Sequence, residues 1–351
     1  MNNIVALRLR NHLLAAHELK TPREAVAWMG AMQAQDYGMV KWAIGARLPE
    51  STSQQVEDAL NRGEIIRTHI MRPTWHIVAV EDVHWLMQLT APRIKPILEG
   101  YDKRTTGLSA SVILKATDVM LRALQGGNHL TRTALRSIAN NAGIAVDNRQ
   151  VAHVLLHAEL DRLVGSGRVT NGKQTYCLLR EQAPSPALFD KDEALAKLAA
   201  RYFRSHGPAT LYDFVWWSGL TTGEARRALE FVKPDFACEK IDEQEYICSA
   251  TSPSHTAEGS ATYLLPAFDE LLIGYKDRKE MFAAEQQSKA ISSNGIFKPF
   301  ILHNAKIAGT WKKVASKGSV EVKAEYFSPP TSALQKAVDK AATLFKRFSE
   351  G

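Results

Sequence analysis

Apolar positions recur with a helical period through most of the first 250 residues and switch to a period of two near residue 262. An initial helix is followed by Thr21-Pro22-Arg23-Glu24, which reads as an N-cap with proline at the first helical position. Val26, Met29 and Gln33 then fall at helical spacing, so this second helix is expected to carry Gln33 on the same face as its apolar residues. Further helical stretches are expected at 40–48 and 56–60. Residues 65–78 are rich in β-branched and aromatic types and predict a hairpin bent near Arg72-Pro73, because proline is poorly tolerated inside a paired strand. Helices closed by a short hairpin form the winged-helix pattern.

The pattern recurs at 110–180. A helix over 111–124 ends at Gly126-Gly127, Thr131 caps a second, and a third over 148–163 leads to Asn171-Gly172, a strong two-residue hairpin signal between alternating positions. Val151, Val154, Leu155, Ala158 and Leu163 form the core face of that third helix, and its other face offers Arg149, His153, His157 and Arg162. A third copy occupies 190–250: helices at 191–203 and 211–217, a capping box at Thr221-Thr222-Gly223-Glu224, and a hairpin over 236–249. Three similar units argue for a tandem array. The period of two then predicts a meander of strands at 295–302, 305–314 and 319–327, with Val320, Val322, Ala324 and Tyr326 on one face, and a closing helix over 331–348. The expected fold class is mainly α with β-hairpins, of α+β type: three tandem winged helices and a small C-terminal β-barrel. The expected divisions are 1–105 (first winged helix with a helical extension), 106–182, 188–252 and 260–351, with a linker at Gln182-Ala183-Pro184-Ser185-Pro186.

Charge sharpens this division. The 351 residues hold 44 Lys/Arg against 37 Asp/Glu, net +7. Residues 1–180 carry 22 against 15, net +7; residues 181–260 carry 8 against 13, net −5; residues 261–351 carry 14 against 9, net +5. A polyanion is a plausible partner for the two basic ends, and the acidic middle suits a scaffold, since like charge is repelled by phosphate. Between Asp118 and Asp147 no acidic residue occurs, while Arg122, Arg132 and Arg136 do. No run of 18 apolar residues is present and Arg8 interrupts the start, so neither a membrane span nor a signal peptide is expected. Cys177, Cys238 and Cys248 are unclustered, which fits a reducing cytoplasm and gives no zinc-ligand spacing.

Four segments then resemble one family in order along the chain. Gly30-Ala31-Met32-Gln33-Ala34-Gln35, followed by Trp42-Ala43-Ile44-Gly45-Ala46-Arg47-Leu48, is similar to the Gln-x-Gln segment of the AlkZ-like (YcaQ-like) winged-helix DNA glycosylases. Arg67-Thr68-His69-Ile70-Met71-Arg72-Pro73-Thr74-Trp75-His76 resembles the family's hairpin, with Pro73 standing where a glycine is usual. Leu264-Leu265-Pro266-Ala267-Phe268-Asp269-Glu270-Leu271-Leu272-Ile273-Gly274-Tyr275-Lys276-Asp277-Arg278 and Gly295-Ile296-Phe297-Lys298-Pro299 resemble its barrel segments. The resemblance implies three winged helices in a C-shaped cradle, and excision of bulky N7-alkylated purines, crosslinks included, by a monofunctional enzyme that needs no metal or cofactor. It also implies duplex DNA as the partner of a cytoplasmic, nucleoid-associated monomer.

On the matching positions, Gln33 and Gln35 are expected to hold a water below C1′, a glutamine carbonyl accepting from the water while its NH2 donates elsewhere. Asp36 is a rival base at the same place. His69, Arg72 and His76 are expected at the lesion strand; the two histidines also read as hydrogen-bonding within the hairpin, and their spacing of seven without partners does not suit a metal. Arg132, Arg136, Arg168 and Lys173 suit phosphate contact, Arg149 beside Asn148 is placed to approach base edges, and Lys276, Arg278, Lys298, Lys312 and Lys313 suit the far backbone. Trp216-Trp217 reads as core. A non-catalytic winged-helix regulator and a scaffold without DNA affinity remain the competing classes.

Overall fold

The structure is a computed structural model describing residues 3–15, 17–183, 189–241, 243–249, 261–282, 284–316 and 319–351. Pro184, Ser185 and Pro186 of the expected linker lie outside the described residues. In chain order the first part gives α1 (Asn3–Asn11), α2 (Pro22–Met29), β1 (Met32–Gln33), α3 (Tyr37–Gly45), α4 (Ser53–Asn61), β2 (Ile65–Ile70), β3 (Thr74–Ala79) and α5 (Val83–Tyr101). Next come α6 (Ala110–Leu124), β4 (Leu130–Thr131), α7 (Arg132–Asn141), α8 (Asn148–Leu160), β5 (Val164–Ser166), β6 (Thr175–Leu178) and α9 (Leu179–Gln182). The remainder holds α10 (Lys191–His206), α11 (Leu211–Ser218), α12 (Thr222–Val232), β7 (Phe236–Ile241), β8 (Gln244–Ser249), β9 (Thr262–Leu265) and α13 (Glu270–Ile273). It ends with α14 (Gln287–Ala290), β10 (Phe300–His303), β11 (Lys306–Ser316), β12 (Ser319–Tyr326) and α15 (Ser332–Glu350).

These elements form two compact units, Met1–Val56 with Leu195–Gly351, and Glu57–Ala194. In the first, capping residues set the helix starts, at Thr21 and Thr221 as expected and at Thr210 in addition. Thr21 and Glu24 cap α2 reciprocally, and Thr210 with Asp213 and Thr221 with Glu224 do the same for α11 and α12. Each box satisfies N–H groups that a helix start would otherwise leave without partners. The C-terminal strands form an antiparallel sheet in the order β12-β11-β10-β9. β9 was absent from the expected meander, and no ladder joins β9 to β12 among the described residues. Leu265, Leu271, Leu272, Phe300, Leu302 and Ile307 bury one core there. Val320, Val322, Ala324 and Tyr326 alternate half-buried with exposed Glu321, Lys323 and Glu325, as their period of two requires.

In the second unit, β2 and β3 pair from Ile65↔Ala79 to Ile70↔Thr74 and turn through Met71 at φ 59°. Five of the six β2 residues are buried, so this hairpin is an interior ribbon. α6, α7 and α8 close around Met120, Leu124, Leu135, Val151, Val154 and Leu155. α8 ends at Leu160, three residues before the expected end, and Arg162 turns left-handed at φ 62°. Asn171 and Gly172, at φ 50° and 68°, make the expected tight turn, closed by mutual Thr170 and Lys173 hydrogen bonds of 2.9 and 3.0 Å. α5 runs 19 residues across Pro92 and Pro96 where the pattern had given only a helical extension.

Candidate active site and nucleic-acid interface

α2 stops short of Gln33. Gly30 adopts φ 77° and its N–H closes on the Val26 carbonyl at 3.0 Å, a glycine termination that releases the chain into an extended segment. The expectation of a helical Gln33 sharing a face with Val26 and Met29 is therefore corrected: Gln33 lies on β1. The change matters for the amide pair. β1 ends at Gln33, Ala34 is buried, and Gln35 stands at the bend that leads into α3. Gln33 is only 7% exposed and Gln35 is exposed, giving an inner and an outer amide. Asp36 caps α3, its Oδ1 accepting the Met39 N–H at 3.0 Å, so the rival base already serves a helix start.

Beneath this segment lies a buried polar network. Glu270, 2% exposed, accepts the Gln33 N–H on Oε1 at 2.6 Å, and its Oε2 accepts Trp217 Nε1–H at 2.9 Å with His206 Nε2 at 3.4 Å. Its neighbour Asp269 binds Arg47 with both oxygens, at 2.8 and 3.0 Å, and caps α13 through the Leu271 N–H. Trp42 Nε1–H donates to the Leu264 carbonyl at 2.6 Å while its ring packs edge-on against Phe345. Burial holds His12 well below the ordinary imidazole range, helped by the adjoining His206 imidazole and the positive charges of Arg47 and Arg8. Burial also lowers His206, against the opposing pull of Glu270.

In the other unit, the β2–β3 hairpin gathers Arg67 and His69 around Trp75. The Arg67 guanidinium lies 4.0 Å from the Trp75 ring, and the His69 ring lies 3.8 Å from it. His69 Nδ1 stands 2.6 Å from Glu159 Oε2, which also accepts the His69 N–H at 3.1 Å and the Thr68 hydroxyl at 3.4 Å. Arg72 is half-buried at the turn. His76 is 1% exposed with Nδ1 on the Thr74 carbonyl at 2.8 Å. That burial removes His76 from the strand-contacting set and leaves the hairpin-internal role.

A family profile described as DNA glycosylase AlkZ-like matches residues 26–348. The chain belongs to the AlkZ-like DNA glycosylases. A curated interstrand DNA cross-link repair glycosylase of Streptomyces sahachiroi is 23% identical over 364 residues, covering 99% of this chain and 95% of that protein. The solved structure of Streptomyces sahachiroi DNA glycosylase AlkZ has a TM-score of 0.80 at 19% identity, over 99% of this chain and 95% of that one, which shows a common fold.

In this AlkZ-like glycosylase the expected basic residues separate into two groups. Arg132, Arg168, Lys173 and Lys298 are exposed, as are Lys276, Lys312 and Lys313. Arg136 is half-buried and donates to Asn148 Oδ1 at 2.8 Å, and Arg149 donates to the Tyr101 hydroxyl, so this pair is held by neighbours of its own unit. Arg278 is corrected to a structural residue. It is 8% exposed, donates to the Leu272 carbonyl at 2.7 Å, and its guanidinium lies 5.4 Å from the Trp216 ring and 5.2 Å from the Phe297 ring, so its buried charge is met by a carbonyl and ring faces. Trp217 is core as expected, while Trp216 is 38% exposed. The expected exposed face of α8 is also revised: His153 and His157 each stand 2.7 Å from the buried Asp102 carboxylate.

Glu270 and Glu159 were missed as partners of Gln33 and His69, and Asp102 as the partner of His153 and His157. The signal available was Asp269-Glu270 standing inside an otherwise apolar run from Leu264 to Tyr275, since an ionised group is buried only with a partner. Among the described residues no cluster of three or more His, Cys, Asp or Glu is arranged to hold a metal, and no helix is long and apolar enough to cross a membrane. Burial pushes the Cys177 thiol up to about 12 and Cys248 up to about 11, so neither offers a thiolate nucleophile at neutral pH.

Proposed function

We propose that this enzyme hydrolyses the N-glycosidic bond of N7-alkylated purines in duplex DNA, interstrand crosslinks included, with Gln33 and Gln35 positioning the attacking water. The observation that carries this reading is the short connection from β1 to α3, which sets Gln33, buried at the strand end, and Gln35, exposed at the bend, two residues apart in a chain of this family. An N7-alkylpurine is a cationic leaving group, so its departure needs little acid catalysis. What remains is to hold a water at C1′ as oxocarbenium character develops, and orientation alone supplies up to about 7–11 kcal/mol in ideal cases. An amide is a weak base, which restricts such an enzyme to labile lesions. The cross-link repair activity of the Streptomyces sahachiroi relative supports the substrate class.

The same reading takes the three helix-and-hairpin units as winged helices in a C-shaped array, with the C-terminal sheet as a barrel-like end, divided as the sequence pattern suggests. Arg132, Arg168 and Lys173 of the second unit and Lys298 of the C-terminal region contact phosphates, while His69 and Arg72 act at the lesion strand. No lysine other than Lys41 neighbours the amide pair in sequence, and its ammonium lies 5.4 Å from the Tyr37 ring, which supports simple hydrolysis over a Schiff-base lyase.

Incubation with duplex containing a single N7-methylguanine, or an N7-linked crosslink, is expected to release base and leave an abasic site. Gln33→Ala and Gln35→Ala are each expected to slow release about 100-fold with binding retained. Binding without release from either substrate would overturn the reading in favour of a non-catalytic DNA-binding protein.

A further inference from the structure

Resting on the Gln33 and Gln35 reading, we infer that Glu270 is a positioning residue for catalysis, its carboxylate fixing the Gln33 backbone while the adjacent Asp269 fixes the far end of the same segment at Arg47. The regular structure within the segment from Gln33 to Arg47 is short. β1 is two residues long, a glycine termination precedes it and α3 is only nine residues. The Leu264 to Arg278 run touches it at three places: Glu270 at Gln33, the Leu264 carbonyl at Trp42, and Asp269 at Arg47. Two adjacent carboxylates thus hold both ends of one segment.

The chemistry of the Glu270 contact suits precision. A 2.6 Å N–H to carboxylate bond is short and charge-assisted, and burial at 2% strengthens it by excluding water. Oε2 is held in turn by Trp217 and His206, so the carboxylate cannot rotate away without leaving buried donors unmet. Trp217 and His206 are themselves core groups of α10 and α11, with the His206 ring 5.2 Å from the Trp217 ring. Position is therefore transmitted from a packed helix pair through Glu270 to the Gln33 backbone. A catalytic amide needs placement within about 0.5 Å, and a displacement of about 1 Å elsewhere in enzymes costs on the order of 100-fold in rate.

The test is a double-mutant cycle on the full chain with N7-methylguanine duplex, reading single-turnover release and DNA affinity together. Glu270→Gln places an NH2 against a donor on one side or the other, and Glu270→Asp keeps the charge but falls one methylene short. Each is expected to slow release by about 10- to 100-fold with affinity within about threefold. In the Gln33→Ala background either change is expected to alter the rate by less than about twofold, because the amide it positions is gone. In a 15N spectrum the Gln33 amide is expected to move upfield and exchange faster in both variants. Rates within about twofold of the parent in both variants would overturn the inference. An equal loss with and without the Gln33 side chain would also overturn it, marking general damage instead. If Gln33→Ala itself retains the parent rate, the amide-pair reading fails separately, and an unmoved Gln33 amide signal in Glu270→Asp then rejects the positioning contact on its own. Should Glu270→Gln not fold, Glu270→Asp decides.

Discussion

Each compact unit buries a glutamate against a candidate site residue, and the two do so differently. Glu270 receives donors from three elements on both oxygens: the β1 backbone, the α10 imidazole and the α11 indole. Glu159 is fully buried, yet its donors all reach Oε2 and all come from Thr68 and His69, while Oε1 has no hydrogen-bond partner among the described residues. The first is a brace between elements, and the second is a local support for one strand position. A buried carboxylate with partners on both oxygens gains enough to offset its desolvation, whereas one with a bare oxygen remains costly. The contrast teaches where each unit stores its polar stability. Glu270 joins three elements of the Gln33 unit, whereas Glu159 supports a single strand, β2, of the hairpin unit.

The sharpest way to break this comparison is to disturb one buried carboxylate site in each unit, at Asp269 beside Glu270 and at Glu159. Arg47→Met leaves Asp269 buried without its guanidinium and is expected to cost about 3–5 kcal/mol in urea unfolding. Glu159→Ala removes an already half-used acceptor and should cost about 1–3 kcal/mol. Equal costs would erase the distinction.

A pH titration sharpens it next. His12 and His206 are fully buried with lowered affinity for protons, so below the ordinary value of 6.5 the unfolded chain takes up protons that the folded chain refuses. Stability is then expected to fall as pH drops through 6.5, with a combined slope of up to about 2.8 kcal/mol per pH unit, and to level off only below the folded values. Hydrogen exchange in α10 and α1 at pH 7 and pH 5.5 checks this. Unchanged protection would show that these histidines are already charged in the folded protein, contrary to their burial between Arg8 and Arg47.

The smallest effect concerns exposed charge. Arg168→Ala with Lys173→Ala is expected to weaken DNA binding at every sequence and to reduce the salt slope by about 2. Reversing the exposed Glu239 and Glu245 on the β7–β8 hairpin should leave affinity within about twofold, given screening beyond about 10 Å. A large gain from those reversals would move the DNA surface into the acidic region.

Much of the chain was legible from local signals. The N-cap at Thr21, the capping box at Thr221, Asn171-Gly172 at its turn and the alternating strand expected over 319–327 depend on neighbours within four residues, and each stands within one residue of where the pattern put it. The ordered motifs sufficed for the family. Gln33 escaped because its spacing from Met29 imitates a helix, and only the left-handed Gly30 between them decides otherwise. His76 and Arg278 escaped because a basic side chain in a motif looks the same in sequence whether it faces solvent or a core.

What the sequence determined by itself is the set of contacts made over short chain distances: helix starts, tight turns, the change of period and the distribution of charge. What the tertiary structure decided is which polar groups are sealed from water and by whom. Glu270 meets Gln33 across 237 positions and Asp269 meets Arg47 across 222. No propensity encodes such pairings, because their energy arises only when packing excludes water from both partners at once.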